Sequence, residues 1–212
     1  MIKVENIKVF NFEGAIRGMR NPMCSQNRSD SVLGGNGGFQ IGENDLNLMQ
    51  RLYKAGHPHR KYLRQIMVSM DITSNHTFWA EFDTYKVGVT RNSCSKMHRI
   101  HTKPFESDDF THENIDKVDF VKEEFDRVLK TVERCRILFN ETKDKKYWRA
   151  LIDLLPMGYN LKATVTMNYE NVFNILQYRQ GHKLNEWNEF CEILKELPYV
   201  LEIMDEKIEV TS

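Results

Sequence analysis

The sequence has few features that would commit it to an unusual environment. Four cysteines occur, Cys24, Cys94, Cys135 and Cys191; no CxxC is present and no two lie at metal-clip spacing. The expectation is four reduced thiols in a cytoplasmic protein. No apolar run approaches the roughly 18 residues a membrane-spanning helix needs, so no membrane partner is expected. The start, MIKVENIKVF, lacks a basic stretch followed by an apolar one, so no signal peptide is expected. Charge of one sign is also missing. Lys+Arg is 30 and Asp+Glu is 30, which removes general attraction to nucleic acid or anionic lipid. Repeats, low-complexity segments and an obvious linker are absent.

What remains is 212 residues of ordinary composition, 41% hydrophobic and 28% charged, enough for a real core. We read it as one domain, 1–212, of α+β class: a central, mostly antiparallel sheet flanked by helices. Residues Ile2 to Phe12 alternate as one strand, or two short ones around Glu5-Asn6. Residues Gly14 to Gly42, rich in Gly, Asn and Ser, read as a long loop. Its cations Arg17, Arg20 and Arg28 are expected near a ligand. Asp45 is expected to cap a helix running to Ala55 and ended by Gly56. Tyr62 to Ile72 is β-like, and Thr77 to Tyr85 reads as helix. Val87 to His101 is a polar run suited to a site rather than a core. Val118 to Phe139 shows apolar residues at three- and four-residue steps, an amphipathic helix. Lys145 to Leu155 is a helix stopped by Pro156. Leu161 to Thr166 reads as a short strand or turn. Tyr169 to Tyr178 and Leu184 to Leu197 are the last two helices, and Pro198 ends the second.

The stretch from Leu155 to Pro198 carries the most information. It holds LLP, NYENVFNILQYR and HKLNEWNEFCEILKELP. Pro156 is followed twelve residues later by Asn168, six further on by Asn174, and eleven after Asn168 by Arg179. This run resembles the flavin-dependent thymidylate synthases, which have a Leu-Pro pair, two asparagines and an arginine at these spacings. An Ala-Gln stretch in that family stands where Leu184-Asn185 stands here. A weaker match lays Tyr85–His98 on the signature Arg-His-Arg-x-x-Ser-x-Asn-Glu-x-Ser-x-Arg-Tyr: Asn92 and Ser95 coincide and Thr90 replaces a Ser. Gly56-His57 sits where the family has a Gly-His that contacts flavin. The N-terminal GAIRGMRNPMCS is similar instead to phage and prophage proteins that share the family's fold.

The resemblance implies an FAD- and pyrimidine-nucleotide-binding homotetramer with flavin between subunits. In the family, reduced flavin supplies hydride, methylenetetrahydrofolate supplies the carbon, and NADPH reduces the flavin. It implies His57, Asn168 and Asn174 as flavin contacts, and Asn92, Ser95 and Arg179 as nucleotide contacts. Asparagine offers both a donor and an acceptor to a flat ring edge. The family's arginines are nevertheless replaced by Tyr85, Val87, Met97, Ile152 and Glu170, which removes charge-assisted phosphate contacts. Lys86, Arg91, Lys96, Arg99 and Arg149 are the cations that could substitute. The resemblance therefore leaves three readings: a reductive methylase of dUMP, a non-catalytic nucleotide-binding or assembly protein on the same scaffold, or altered chemistry using Tyr85, Lys86 and Ser93.

Other candidates have bland readings. His57/His59 and His98/His101 lack a carboxylate or cysteine to complete a metal site. Ser93-Cys94-Ser95 with His98 lacks the surroundings of a nucleophile elbow. Gly34–Gly38 has no Lys-Ser/Thr after it and is not a phosphate loop. Trp79, Trp148 and Trp187 are expected in the core or a subunit interface.

Overall fold

The alternating N-terminus forms one strand, β1 (Lys3–Phe10). Asn6 takes a left-handed conformation within it (φ 55°) and its side chain donates to Asp71 at 2.9 Å. The computed structural model describes residues 2–34 and 38–205.

The segment expected to be a loop opens instead with a helix, α1 (Phe12–Arg20). Phe12, Ala15, Ile16 and Met19 recur at helical steps and are buried. The two glycines of this helix had obscured the pattern. Gly18 packs against the tip of the Gln65 side chain. Two single 3-10 turns, Asn21–Met23 and Gln26–Arg28, follow. A short antiparallel hairpin comes next, β2 (Val32–Leu33) and β3 (Phe39–Gln40), with Val32 opposite Gln40. Most of the Gly34–Gly38 tip lies outside the described residues.

Next come α2 (Glu43–Lys54), a 3-10 stretch Arg60–Arg64, β4 (Met67–Asn75) and α3 (His76–Phe82). The β-like run thus begins later than its composition suggested. Asp45 does not cap α2: Gly42 holds the N-cap position, and the Asp30 carboxylate accepts from the N–H groups of Asn44 and Asp45 at 2.9 and 3.1 Å. Gly56 ends the helix region with φ 91°, as its sequence position suggests.

The polar run holds β5 (Thr90–Ser93) and the single turn α4 (Lys96–Arg99). Then follow α5 (Asp119–Thr142), α6 (Lys145–Leu154), β6 (Asn160–Asn168), α7 (Tyr169–Arg179), α8 (Asn185–Lys195) and a further short helix, α9 (Val200–Met204). Pro198 therefore ends α8 but not the helical structure. The strands form a mostly antiparallel sheet of order β1-β4-β6-β5.

The described residues divide into two compact units. The first holds 2–3, 72–84 and 92–164; its interior contains Phe78, Trp79, Phe82, Val132 and Leu151. The second holds 4–34, 38–71, 85–91 and 165–205. Its interior is Met49, Leu63, Ile66, Phe173, Trp187 and Phe190, all at 0 or 1% exposure. Each such side chain contributes roughly 1.5–3 kcal/mol by leaving water. Burial also pushes the Cys191 thiol up to about 11, so it is inert as a nucleophile. No helix among the described residues is long and apolar enough to cross a membrane.

Candidate functional site

Four of the six residues singled out by the resemblance belong to the second unit: His57, Asn168, Asn174 and Arg179. Three of them sit on or beside α7. Asn168 is the last residue of β6 and the N-cap of α7, where its side chain accepts from Asn171 N–H at 3.1 Å. It is buried, at 8% exposure. Gly88 lies directly against it: a Cβ there would stand 2.5 Å from Asn168 Nδ2, and the backbone at Gly88 is left-handed (φ 74°). Only glycine satisfies both demands. Asn168 thus spends its acceptor on the helix, and its amide nitrogen packs against Gly88. Asn174, in the second turn of α7, is half-buried.

Arg179 closes α7, where a cation complements the helix dipole. Its Nε donates to the Tyr85 hydroxyl at 2.9 Å, and its guanidinium carbon lies 4.7 Å from the Trp187 ring centroid and 5.5 Å from that of Tyr85. One Nη is 3.2 Å from His182 Nε2. Trp187 is fully buried, so the cation rests on a fixed aromatic wall.

His57 is exposed and belongs to a charge cluster. Arg64 Nε donates to Glu170 Oε2, and Arg64 Nη2 donates to Glu170 Oε1 at 3.3 Å. The same Nη2 lies 2.9 Å from His57 Nδ1, and that Nδ1 is 3.2 Å from Glu170 Oε1. Glu170, at 14% side-chain exposure, is therefore neutralised rather than left to repel an anion. Sequence reasoning missed Arg64; an arginine between two buried apolar residues, Leu63 and Ile66, was the available signal.

The remaining two residues, Asn92 and Ser95, belong to the first unit. Asn92 is exposed on β5. Ser95 caps α4, accepting from His98 N–H at 3.3 Å. Beside it, Lys96 Nζ is 2.9 Å from His76 Nε2, and burial lowers the pKa of this lysine. Cys94, Ser95, Lys96, Arg99, Lys103 and Tyr159 line a cleft of about 170 Å³. The other replaced positions are unremarkable: Val87 and Met97 are exposed, and Ile152 is half-buried. Arg149 is exposed and paired with Asp153 at 2.9 Å. Trp79 is buried and Trp148 half-buried. Among the described residues no group of three or more His, Cys, Asp and Glu could hold a metal ion.

A larger cleft, about 1440 Å³, lies elsewhere on the second unit, lined by the end of α1, the 21–28 turns, one face of α2 and residues 58–65. Arg20, which lines it, forms a buried ion pair with Asp45: Nε to Oδ1, 2.6 Å, with side-chain exposures of 5% and 0%. Asp45 Oδ2 also accepts from the hydroxyls of Ser29 and Ser31, each at 2.7 Å. Burial pushes the Asp45 carboxyl upward, but the hydrogen bonds of Ser31, Ser29 and Arg20 outweigh it and hold the pKa below the usual value. Arg20 is thus structural. Of the other two cations expected near a ligand, Arg28 lines the cleft, whereas Arg17 is exposed on α1 and pairs with Glu13 at 2.5 Å.

No family model matches the sequence, and no curated protein does. Among solved structures, thymidylate synthase X from Helicobacter pylori, with FAD and dUMP, superposes with a TM-score of 0.70 at 18% identity. The match covers 96% of this chain and 97% of that one. The fold is that of the flavin-dependent thymidylate synthases. A second structure of the flavin-dependent thymidylate synthase from Helicobacter pylori, complexed with FAD and dUMP, gives 0.68 at 18% identity over 96% of both chains. The fold likeness thus extends over 96% of the chain.

Proposed function

We propose that this protein binds FAD and a pyrimidine nucleotide, and that it does not methylate dUMP at the rate of the flavin-dependent thymidylate synthases. The observation that carries the reading is Arg179, held at the end of α7 against Tyr85 and Trp187 in a fold shared with enzymes solved with FAD and dUMP.

The residues present fit such ligands. Arg179 is pre-oriented by a hydrogen bond and two aromatic faces, so it holds a nucleotide phosphate or carbonyl with little loss of side-chain freedom. Asn174, half-buried on α7, offers a donor and an acceptor to a flavin edge. His57 and Arg64 bring donors to the same end of α7 as Glu170. Asn92 and Ser95 are the nucleotide contacts assigned to the first unit. Reduced flavin, when bound, supplies hydride; NADPH and methylenetetrahydrofolate enter only if the family reaction is kept.

The second reading is a non-catalytic nucleotide-binding or assembly protein in a homotetramer. Tyr85, Val87, Met97, Ile152 and Glu170 favour it, since each replaces a cation. Removing one preorganised group that stabilises transition-state charge costs about 2.7–4 kcal/mol, and Tyr85 and Glu170 both occupy their positions with engaged side chains.

The test is to supply FAD, NADPH, methylenetetrahydrofolate and deoxyuridylate, to follow FAD binding by quenching of its fluorescence, and to follow thymidylate by chromatography. Quenching with little or no thymidylate is expected. Robust thymidylate overturns the activity half of the proposal, and absence of both FAD and dUMP binding overturns the binding half.

A further inference from the structure

In the segment between α4 and α5 the chain carries a Ser-His-Asp arrangement that no role above uses. Ser107 opens a 3-10 turn, Ser107–Asp109, and is exposed. Its Oγ lies 3.3 Å from His112 Nε2, and His112 Nδ1 lies 2.6 Å from Asp116 Oδ2. These two contacts fix the tautomer of the neutral ring. A carboxylate only accepts, so Nδ1 carries the proton. Nε2 then presents its lone pair, and the Ser107 hydroxyl donates to it. The Asp116 carboxyl is held below its usual pKa, first by the hydrogen bond from His112 and then by that from Lys122. It is therefore ionised at neutral pH. Lys122 Nζ, on α5, lies 3.2 Å from Asp116 Oδ1 and leaves Oδ2 to the ring.

The three side chains sit on a fixed frame. Phe110 N–H donates to the Ser107 carbonyl at 3.0 Å and closes the turn. Phe110 is buried, with its ring centroid 5.6 Å from that of Phe125 and 5.4 Å from that of Tyr159. Thr111 N–H donates to the Gly158 carbonyl at 2.7 Å, and its hydroxyl to Asn160 Oδ1 at 2.9 Å. The residue before His112 is thereby tied to the start of β6. Asp116 N–H donates to the His112 carbonyl at 2.9 Å, so one turn of chain brings Asp116 back beside the ring. The imidazole is a base already aimed at one hydroxyl, and little side-chain freedom is left to lose on reaction.

We propose that Ser107, His112 and Asp116 form a nucleophilic triad that hydrolyses short acyl esters of cationic alcohols. Ser107 Oγ bonds to the ester carbonyl carbon as its proton passes to His112 Nε2. The ester C–O bond then breaks, and the alcohol leaves with that proton. Water attacks by the same route, which releases the acid and restores the hydroxyl. Asp116 is a positioning residue: it holds the ring and its tautomer. Charge selects the alcohol. Residues 105–117 hold five acidic side chains, Glu106, Asp108, Asp109, Glu113 and Asp116, against one lysine, Lys117. Asp109 and Asp116 are paired with Lys103 and Lys122, and the remaining excess attracts a cation and repels an anion. The exposed hydroxyl suits a short acyl group, which has little apolar surface to bury. None of the residues proposed for flavin or pyrimidine nucleotide belongs to the triad, so it stands or falls separately from that function.

The experiment is to incubate the full chain with acetylcholine or ethyl acetate at low ionic strength, because exposed charges are screened by salt, and to follow acetate by NMR. Acetate release above the buffer rate is expected, with kcat/KM at least five-fold higher for acetylcholine. General-base assistance is typically worth about 10²–10⁴-fold, so Ser107→Ala and His112→Asn are each expected to lose at least ten-fold with an unchanged melting temperature. Asp116→Asn is expected to lower kcat at least ten-fold with KM little changed, and Asp116→Glu to restore most of it. Diisopropyl fluorophosphate gives a second readout. The Ser107 Oγ–P bond forms, the P–F bond breaks, fluoride leaves and the proton passes to His112. Peptide mass spectrometry is expected to find the label on Ser107 in the natural chain and at least ten-fold less of it in His112→Asn. Hydrolysis at the buffer rate, undiminished hydrolysis by Ser107→Ala, or label on another residue overturns the triad. Equal kcat/KM for the two esters overturns the cationic substrate.

Discussion

Arg179 Nε donates to the Tyr85 hydroxyl at 2.9 Å, so Tyr85 orients the guanidinium that closes α7. Arg179→Ala is expected to weaken deoxyuridylate binding at least ten-fold, about 1.4 kcal/mol. Tyr85→Phe, which keeps the ring and removes only the acceptor, is expected to cost about 1 kcal/mol or less. Equal losses in both variants would contradict a direct contact of Arg179 with the nucleotide.

The Glu170 carboxylate is neutralised by Arg64 and flanked by His57. Glu170→Gln releases Arg64 from its partner and is expected to tighten FAD binding several-fold, with the gain shrinking as salt is raised. Fluorescence titration at two ionic strengths reads this directly. Weaker FAD binding in this variant would place the cluster away from any anionic group of the ligand.

Asp45 should dominate the acid stability of the second unit. Its folded-state pKa lies below the unfolded value of about 3.9. Its stabilisation is therefore fully present above that value and is lost as pH falls through the folded-state pKa. Asp45→Asn leaves Arg20 buried without its counter-ion, an effect of about 3–5 kcal/mol at neutral pH. Urea denaturation should show this gap at pH 7 and a much smaller gap below pH ~3. A gap independent of pH would mean that packing, not charge, holds Asp45 in place.

The helix α5 is 24 residues long, yet only Val132 on it is buried; Phe120 is 72% exposed and Ile137 42%. The homotetramer that the family resemblance implies would give these side chains a surface to bury. Light scattering is expected to return four copies of the 25.1 kDa chain. A mass of one copy at micromolar concentration would remove both the tetramer and any flavin site shared between subunits.

The helices of the C-terminal half were readable because their apolar residues repeat at helical steps and prolines or glycines punctuate them. Val118–Phe139 became Asp119–Thr142, and Tyr169–Tyr178 became Tyr169–Arg179. The region 12–45 was misread for a specific reason. Gly14 and Gly18 lower helix propensity, and in sequence they outweighed Phe12, Ala15, Ile16 and Met19. In the fold, Gly18 packs against the tip of the Gln65 side chain. Asp45 looked like a cap because it precedes a helical pattern, but its partners Arg20, Ser29 and Ser31 lie far along the chain and no local rule reveals them. Likewise, spacing singles out Asn168, Asn174 and Arg179 as candidates, whereas the pairing of Arg64 with Glu170 joins residues brought together only by folding.

The central claim is that α7 and its neighbours hold FAD and a pyrimidine nucleotide. The most direct measurement is titration of FAD into the protein, following quenching of flavin fluorescence and then its change on adding deoxyuridylate, for the natural chain and for Arg179→Ala. The prediction is saturable quenching in both, with the deoxyuridylate response lost in the variant. No saturable quenching with the natural chain, or a deoxyuridylate response identical in the two, would contradict it.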